Sequence, residues 1–554
     1  MRRIEPALST LFALTMAMLG CKPPPPTTPA AIASEPNRLY WGDTHVHGSY
    51  SREAQGRGYR SVDPDTAYRW AKGLPVVHPH TKAKVQIETS LDFLIVTDHA
   101  EGLEPTEWNG MVEAAERHYA PCSFTSFIGW EWTADSDGKN LHRVVFMKDG
   151  REQAAEFTPL SPVDGRRPED LWAWLEETSA RVGTDFLAIP QSSNLSRGAM
   201  FAEVDSEGRP MTAAYARSRM RWEPVVEVTQ IKGDAETHPS LSPDDEFADF
   251  ERFSQTPRDS SEQAKADPGD YARSGLLRGL GIDQVVGANP FQFGLIGSTN
   301  SQTGLASAEE DNFWSASDSD PEAERVPGLE WIKDSDLSAQ GLAAVWAEEN
   351  TRSSIFAAFK RKEVYATTGP RIRVRFFGGW NFDKKQAKNA GMVKTGYTLG
   401  YPMGSDLSSA PKDKAPGFLM YAVKDPEGAN LDRIQIVKGW VDSDGKTHEK
   451  VYDVVWSGDR ALGPDGKVPP LENTVDLATT EYQDTGGAPT LSGFWSDPAF
   501  DREQPAFYYL RVLQIPTPRH TLYDTLALGT DPSKTGHPPT IQERAYTSPI
   551  WYTP

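Results

Sequence analysis

Residues 41–49 read Trp-Gly-Asp-Thr-His-Val-His-Gly-Ser and place His45 and His47 one residue apart at the end of an extended segment. In a β-strand, residues i and i+2 point to the same face. The two imidazoles can therefore coordinate one metal ion from the same face of the strand. Taken alone, the pair is equally compatible with two hydrogen-bonded histidines that bind nothing. A metal site requires further ligands from elsewhere in the chain.

The remaining candidate ligands share one property, which is their position at the ends of predicted strands: Asp98, His99, Glu131 and His142. Imidazoles combined with a carboxylate suit zinc, manganese or iron. Taken singly, Asp98 could instead cap a helix, and His142 could be a solvent-facing strand residue. Together they predict a divalent metal centre in which Glu131 could bridge two ions.

The predicted fold class is α/β. Between residues 37 and 368, apolar β-rich runs that end in polar residues, such as 91–99, alternate with helical patterns, such as 104–119. Strands that alternate with helices favour a parallel sheet, and barrel enzymes keep their sites at the carboxyl ends of such strands. We therefore expect a closed or distorted β/α barrel over residues 37–368. Residues 369–554 alternate in polarity between turns, which predicts an antiparallel, β-sandwich-like region packed on the barrel.

The charge of the chain limits its partners. The 554 residues carry a formal net charge of -21 at pH 7. So acidic a protein is poorly suited to bind a nucleic-acid backbone or an anionic membrane surface through its folded part. A small molecule or a phosphoester remains compatible, provided that a metal or a local cluster of cations offsets the repulsion.

The first residues have the character of a targeting segment. Arg2 and Arg3 precede an apolar run at 11–19 that is too short to span a bilayer, and Gly20 precedes Cys21 as in a bacterial lipobox. We predict a lipoprotein-type signal over residues 1–21, lipidation at Cys21 and a location in the cell envelope. An ordinary secretory signal is the alternative. Residues 22–36, with four consecutive prolines, predict a stiff linker.

Three motifs carry a resemblance to a known family. HVH at 45–47, TDH at 97–99 and GWE at 129–131 resemble the PHP (polymerase and histidinol phosphatase) superfamily. Segments such as WGDTHVHGSYS, LDFLIVTDHAE, FIGWEWT and QERAYTSPIWYTP are similar to a large bacterial branch of it, catalogued as a domain of unknown function, over residues 39–554. The resemblance implies a PHP-like distorted barrel that holds up to three metal ions and hydrolyses phosphoesters.

The sequence departs from that family pattern at three expected ligands. Gln191 stands where the family has the His of I-P-H-N, and Asn300 and Gln302 stand where it has the Asp and the His of G-S-T-D-[ST]-H. The resemblance distributes its ligands over three sites: His45, His47, Glu131 and position 300; Glu131, His142 and position 191; His99 and position 302. Neutral amides are poor ligands for zinc or iron. Metal binding and activity should therefore be reduced or lost.

The three functional hypotheses differ in how much metal binding and catalysis the chain retains. The first is a metal-dependent phosphoesterase scaffold that uses manganese, zinc or iron. The second is an envelope pseudoenzyme that binds a small molecule without catalysis. The third retains one ion and recruits a replacement ligand. The candidate residues for these roles are Glu131, Asp98 and Arg143 for catalysis, Arg197, Lys232 and His238 for substrate binding, and His78, His80 and His238 for replacement.

Overall fold

The strand that carries the histidine pair lies inside a large mixed sheet in the computed structural model. The structure describes residues 36–51, 61–79, 81–136, 138–253, 266–314, 337–339 and 341–554. The predicted signal segment with Cys21, nearly all of the linker and His80 lie outside these residues. Within the described part, no helix combines the length and the apolar character needed to cross a bilayer.

Short strands and helices alternate over much of the first part of the chain. Up to residue 300 the described strands are β1 (Arg38–Val46), β2 (Val76–Val77), β3 (Lys84–Val85), β4 (Phe93–Val96), β5 (Thr125–Trp132), β6 (Asp135–Ser136), β7 (Lys139–Asn140), β8 (Arg143–Met147), β9 (Phe186–Pro190), β10 (Val225–Gln230), β11 (Gly233–Asp234) and β12 (Gly294–Gly297). The described α-helices of the whole chain are α1 (Pro64–Ala71), α2 (Pro105–His118), α3 (Arg151–Ala154), α4 (Pro168–Val182), α5 (Ala213–Trp222), α6 (Ala272–Val286), α7 (Arg352–Lys360), α8 (Met392–Leu399) and α9 (His520–Ala527).

Strands dominate the second part. They are β13 (Leu342–Ala347), β14 (Val364–Thr367), β15 (Arg373–Gly379), β16 (Tyr401–Pro402), β17 (Asp406–Leu407), β18 (Gly417–Val423), β19 (Leu431–Val441), β20 (Thr447–Trp456), β21 (Thr490–Ser496), β22 (Ala506–Gln514), β23 (Thr517–Pro518), β24 (Thr540–Ile541), β25 (Arg544–Thr547) and β26 (Ile550–Tyr552). β16, β15, β18 and β21 form a four-stranded antiparallel sheet, whereas β22, β25 and β26 join the main sheet.

The main sheet confirms the α/β class. Its order is β17-β26-β22-β25-β14-β13-β1-β4-β5-β8-β9, with β19 on β22 and β20 on β19. β1, β4 and β5 are parallel, whereas β8 and β9 continue the sheet in antiparallel pairs. Residues 35–554 form one compact unit.

The predicted closure of a barrel is not observed among the described strands. β10, β11 and β12 form a separate three-stranded sheet instead of continuing from β9. The other edge of β1 is taken by β13, which pairs with it in antiparallel fashion and leads on to β14 and β25. The main sheet therefore extends into the C-terminal strands, and the segment after β12 meets β1 at an isolated bridge between Val46 and Ser301.

Both faces of the central strands are covered. In β4, Phe93 and Ile95 pack in one apolar cluster with Phe359 of α7, whereas Leu94 and Val96 belong to a second cluster on the opposite face. Side chains alternate between faces along a strand, so a strand buried on both sides reads as a continuous apolar run. Polar side chains accordingly collect at the carboxyl ends of β1, β4 and β5, where Glu227 from β10 of the separate sheet reaches His45.

Gly42 sets the approach of β1 to β4, and its replacement tests this packing. A Cβ at Gly42 would lie 2.4 Å from the ring of Phe93, its partner in the parallel register. We expect Gly42→Ala to destabilise the fold by about 1–3 kcal/mol because the buried ring must move. Gly281→Ala in α6, where a Cβ meets nothing within 4 Å, should be neutral or stabilising by up to about 1 kcal/mol. Thermal unfolding of both variants measures the difference, and equal midpoints would contradict the analysis.

Candidate metal centre

Three buried side chains converge at the carboxyl ends of β1 and β5. Nε2 of His45, Nε2 of His47 and Oε2 of Glu131 lie 3.2 Å from one another in all three pairs. The three residues are at most 2% exposed. His45, His47 and Glu131 thus form a cluster able to hold a metal ion.

These separations fit a shared cation. Two ligands of one ion, each about 2.0–2.1 Å from it, lie roughly 2.8–3.4 Å apart in octahedral or tetrahedral coordination. Ring nitrogens without hydrogens and a carboxylate oxygen are all acceptors, and they repel one another at 3.2 Å unless a proton or a metal ion lies between them. The donor set, two imidazoles and a carboxylate, suits zinc, manganese or iron.

A buried carboxylate sets the orientation of the His45 ring. Oε2 of Glu227, in β10, lies 3.1 Å from Nδ1 of His45. An ionised carboxylate only accepts hydrogen bonds, so Nδ1 carries the hydrogen and Nε2 turns to the cluster. Burial lowers the pKa of His45, but the charges of Glu227 and Glu131 outweigh it and raise that pKa to about 9. The site therefore attracts a cation at this position, and a proton takes the place when no metal is bound.

A serine and an aspartate orient His47 in the same way. Nδ1 of His47 lies 3.2 Å from Oγ of Ser51, and that hydroxyl donates to Oδ1 of Asp98 at 2.7 Å. Because the hydrogen of Ser51 is used on Asp98, its oxygen accepts from Nδ1 of His47 and from the backbone N–H of His99. Burial holds the pKa of His47 well below its usual range. The ring is therefore neutral, with the lone pair of Nε2 facing Glu131.

The Glu131 carboxylate is the centre of the site. Its Oε2 faces His45, His47 and, at 3.4 Å, Nε2 of His99, whereas its Oε1 lies 2.9 Å from Nδ1 of His142 and 2.8 Å from Nε2 of Gln191. Burial raises the pKa of Glu131, but His99, His142 and His45 outweigh it and hold that pKa well below its usual range. Glu131 therefore stays ionised.

The site opens to solvent on the side of His99 and His142. Their side chains are 11% and 19% exposed, more than any of the three clustered residues. Burial lowers the pKa of both His47 and His142, and the charge of Lys232 lowers both further. The ammonium group of Lys232 is thus close enough to act on both rings.

The structure also brings together the three positions that depart from the family pattern. Oδ1 of Asn300 lies 3.1 Å from Nε2 of His47, and it accepts a hydrogen bond from Gln302. Nδ2 of Asn300 donates to Gln230, which in turn donates to Gln191. Asn300 can therefore offer a neutral oxygen beside the cluster, whereas Gln191 presents an N–H group to Glu131.

Other predicted site residues lie elsewhere. Arg143, predicted as a catalytic residue, pairs through its Nε with Glu223 at 2.9 Å in the buried interior. Its guanidinium group also donates to the backbone oxygen of Leu141. Asp98 acts on His47 through Ser51, which makes it a positioning residue.

The proposed substrate and replacement ligands are also dispersed. His238 hydrogen-bonds Ser240 and contacts the ring of Tyr271, and Arg197 lies against Gly138. His78 is buried, accepts a hydrogen bond from the backbone N–H of Thr81 and contacts a tryptophan ring. The charge of Lys232, one of the five proposed substrate or replacement residues, lowers the pKa of His47 and of His142.

Sequence reasoning missed Ser51 and Gln230, and it gave Glu227 only as a weak candidate for a substrate contact or a structural role. Glu227 and Gln230 were detectable in principle, since they are polar residues inside a run, Val225–Gln230, that is buried throughout. A buried charge requires a partner. Ser51 had no comparable signal, because a serine after a strand is usual in a turn.

One comparison with known proteins identifies the family of the chain. No curated protein matches it. A family model described as "Protein of unknown function (DUF3604)" matches residues 34–107 and 103–554. The matched residues include the histidine cluster, its carboxylate partners and the three departing positions. The chain belongs to this family of proteins of unknown function.

Proposed function

We propose that the protein binds one divalent cation through His45, His47 and Glu131, with the amide oxygen of Asn300 as a neutral fourth ligand. The observation that carries the proposal is the convergence of three buried acceptor atoms at mutual distances of 3.2 Å. Two further facts support it. Both histidines have their Nδ1 atoms committed to outer partners, and those partners lead to the carboxylates of Glu227 and Asp98. Metal-binding histidines are commonly oriented in this way.

The proposed reaction class is hydrolysis of a phosphoester, in keeping with the resemblance to PHP-type hydrolases. A bound zinc, manganese or iron ion would supply Lewis acidity and an activated water. Lys232 would attract an anionic substrate to the open side. His142, whose lowered pKa leaves it neutral near pH 7, would accept a proton there. The residues of the cluster itself would hold the ion.

We infer that this activity is weak. Gln191 and Gln302 cannot supply imidazole nitrogens, and Asn300 lacks the charge of an aspartate. The second candidate function is therefore that of a ligand-binding pseudoenzyme. One observation favours it: the amides at positions 191, 300 and 302 are hydrogen-bonded within the protein and satisfy one another without an ion. A lipid anchor at Cys21 and a place in the cell envelope remain proposals from the sequence alone.

Metal content is the first test of the proposal. The purified protein, loaded separately with Mn²⁺, Zn²⁺ and Fe²⁺, should retain one ion per chain by elemental analysis, and His45→Ala should abolish retention. The variant Gln191→His/Asn300→Asp/Gln302→His should retain more than one ion, since it restores three charged or imidazole ligands. It should also hydrolyse a generic phosphodiester faster than the natural sequence, by at least about 10-fold.

Two outcomes would contradict the proposal in different ways. If the natural sequence retains no ion while the triple variant does, the pseudoenzyme without metal is the correct function. If the natural sequence hydrolyses the diester as fast as the triple variant, the departures at the three positions do not limit catalysis. In that case the remaining ligands of the ion must include a residue not assigned here.

The outer partners of the histidines give a second prediction. We expect Glu227→Met and Ser51→Ala each to weaken metal binding by about 10–100-fold, because the rings lose the acceptor that fixes their tautomer. Glu363→Met and Ser126→Ala, which alter a buried glutamate and a buried serine elsewhere in the fold, should leave the affinity unchanged. Competition with a chromophoric chelator measures all four dissociation constants. Equal losses in the two pairs would show that the effect is one of general stability.

A further inference from the structure

Four side-chain amides form a continuous hydrogen-bonded chain that ends on Glu131. Nε2 of Gln302 donates to Oδ1 of Asn300 at 2.7 Å, and Nδ2 of Asn300 donates to Oε1 of Gln230 at 2.6 Å. Nε2 of Gln230 donates to Oε1 of Gln191 at 3.2 Å, and Nε2 of Gln191 donates to Oε1 of Glu131 at 2.8 Å. We call these four residues the amide chain.

The direction of the amide chain is determined by its end. Oε1 of Glu131 accepts from Nε2 of Gln191, so the NH₂ group of Gln191 is turned towards the carboxylate. The oxygen of Gln191 then accepts from Gln230, and it also accepts from the hydroxyl of Ser192. Reversing any single amide would set two oxygens, or two NH₂ groups, against each other. The orientation of each amide therefore fixes the orientation of its neighbours in the chain.

This direction has a consequence for metal binding. Gln191 is the member of the chain that lies beside Oε1 of Glu131 and near His142, where a second ion would have to bind. Its N–H group faces that position and its oxygen faces away. A metal ion needs a lone pair, so Gln191 is held in the orientation that cannot coordinate one. Oε2 of Glu131 is left for the cluster of His45 and His47.

We infer that Gln230 is a positioning residue that, through Gln191, restricts the centre to a single ion at Oε2 of Glu131. Gln230 is 3% exposed, and it is the link through which the amides at positions 300 and 191 are joined. Its side-chain amide hydrogen-bonds Asn300, Gln191 and Ser192, so its effect on Glu131 passes through Gln191. The inference rests on the proposed function, because it concerns the ion held by the same cluster.

Two substitutions at position 230 should have different effects on metal binding. Gln230→Met, similar in size but unable to hydrogen-bond, should weaken binding of Mn²⁺ at least 10-fold, because the Nδ2 group of Asn300 loses its acceptor and Oδ1 of Asn300 is no longer held beside His47. The count should stay at one ion, because Glu131 still accepts from the NH₂ group of Gln191. Gln230→Glu can only accept, so it competes with Glu131 for that NH₂ group. The amide can then reverse when an ion beside Oε1 of Glu131 takes its oxygen, and the count should rise from one ion to two.

The matched control is Gln514→Met, which alters another buried glutamine in a strand of the main sheet. Its affinity and its ion count should equal those of the natural sequence. Isothermal titration with Mn²⁺ gives the affinity, and native mass spectrometry gives the count. If Gln230→Glu still binds one ion, or if Gln514→Met loses as much affinity as Gln230→Met, the inference is overturned.

A measurement without metal separates this inference from the proposed function. In excess chelator, Gln230→Met and Gln191→Met should each lower the thermal midpoint, and the double variant should lower it no further than the worse single variant, because either change already breaks the chain. Additive shifts would overturn the amide chain. A natural sequence that retains no Mn²⁺ but shows the non-additive midpoints would overturn only the proposed function.

Discussion

The constraint on which the site depends is the mutual approach of three buried acceptors, Nε2 of His45, Nε2 of His47 and Oε2 of Glu131. All three residues are almost fully buried, so bulk water does little to screen their mutual repulsion. A cation or a proton must therefore lie among them. In the protein without metal, a proton on His45 relieves the same repulsion, and the pKa of His45 is accordingly raised to about 9. The surrounding polar contacts serve to keep these lone pairs pointed inward.

The fold meets this constraint through the parallel arrangement of β1, β4 and β5. The carboxyl ends of parallel strands lie at the same edge of a sheet. The backbone therefore places His47, His99 and Glu131 close together. β10 and β12 approach that edge from a second sheet and contribute Glu227, Gln230 and Asn300. Because their hydrogen-bonded ladder is separate from that of β9, the site lies between two sheets and its contacts depend on side chains from both.

Much of this arrangement could be predicted from the sequence, and the exceptions have physical reasons. The i, i+2 pair at His45 and His47 and the buried strand before Asp98 are local signals, and they placed both elements correctly. Closure of a barrel depends on which strand pairs with the open edge of β1. That strand is distant in sequence, so local periodicity does not predict the pairing. The charge of Arg143 made it a candidate catalytic residue, and the sequence gave no sign that a distant glutamate, Glu223, is its partner. Gln230 was missed because its role depends on three other amides that are distant in sequence and come together only in the folded chain.

The central claim is that one ion binds where the three acceptors meet. Crystals of the protein grown with Mn²⁺ and measured on both sides of the manganese absorption edge would test it most directly. The account predicts a single anomalous peak within about 2.3 Å of Nε2 of His45, Nε2 of His47 and Oε2 of Glu131, with Gln191 still donating to Oε1. A second peak beside Oε1, or an unoccupied cluster with protonated His45 at saturating Mn²⁺, would contradict it.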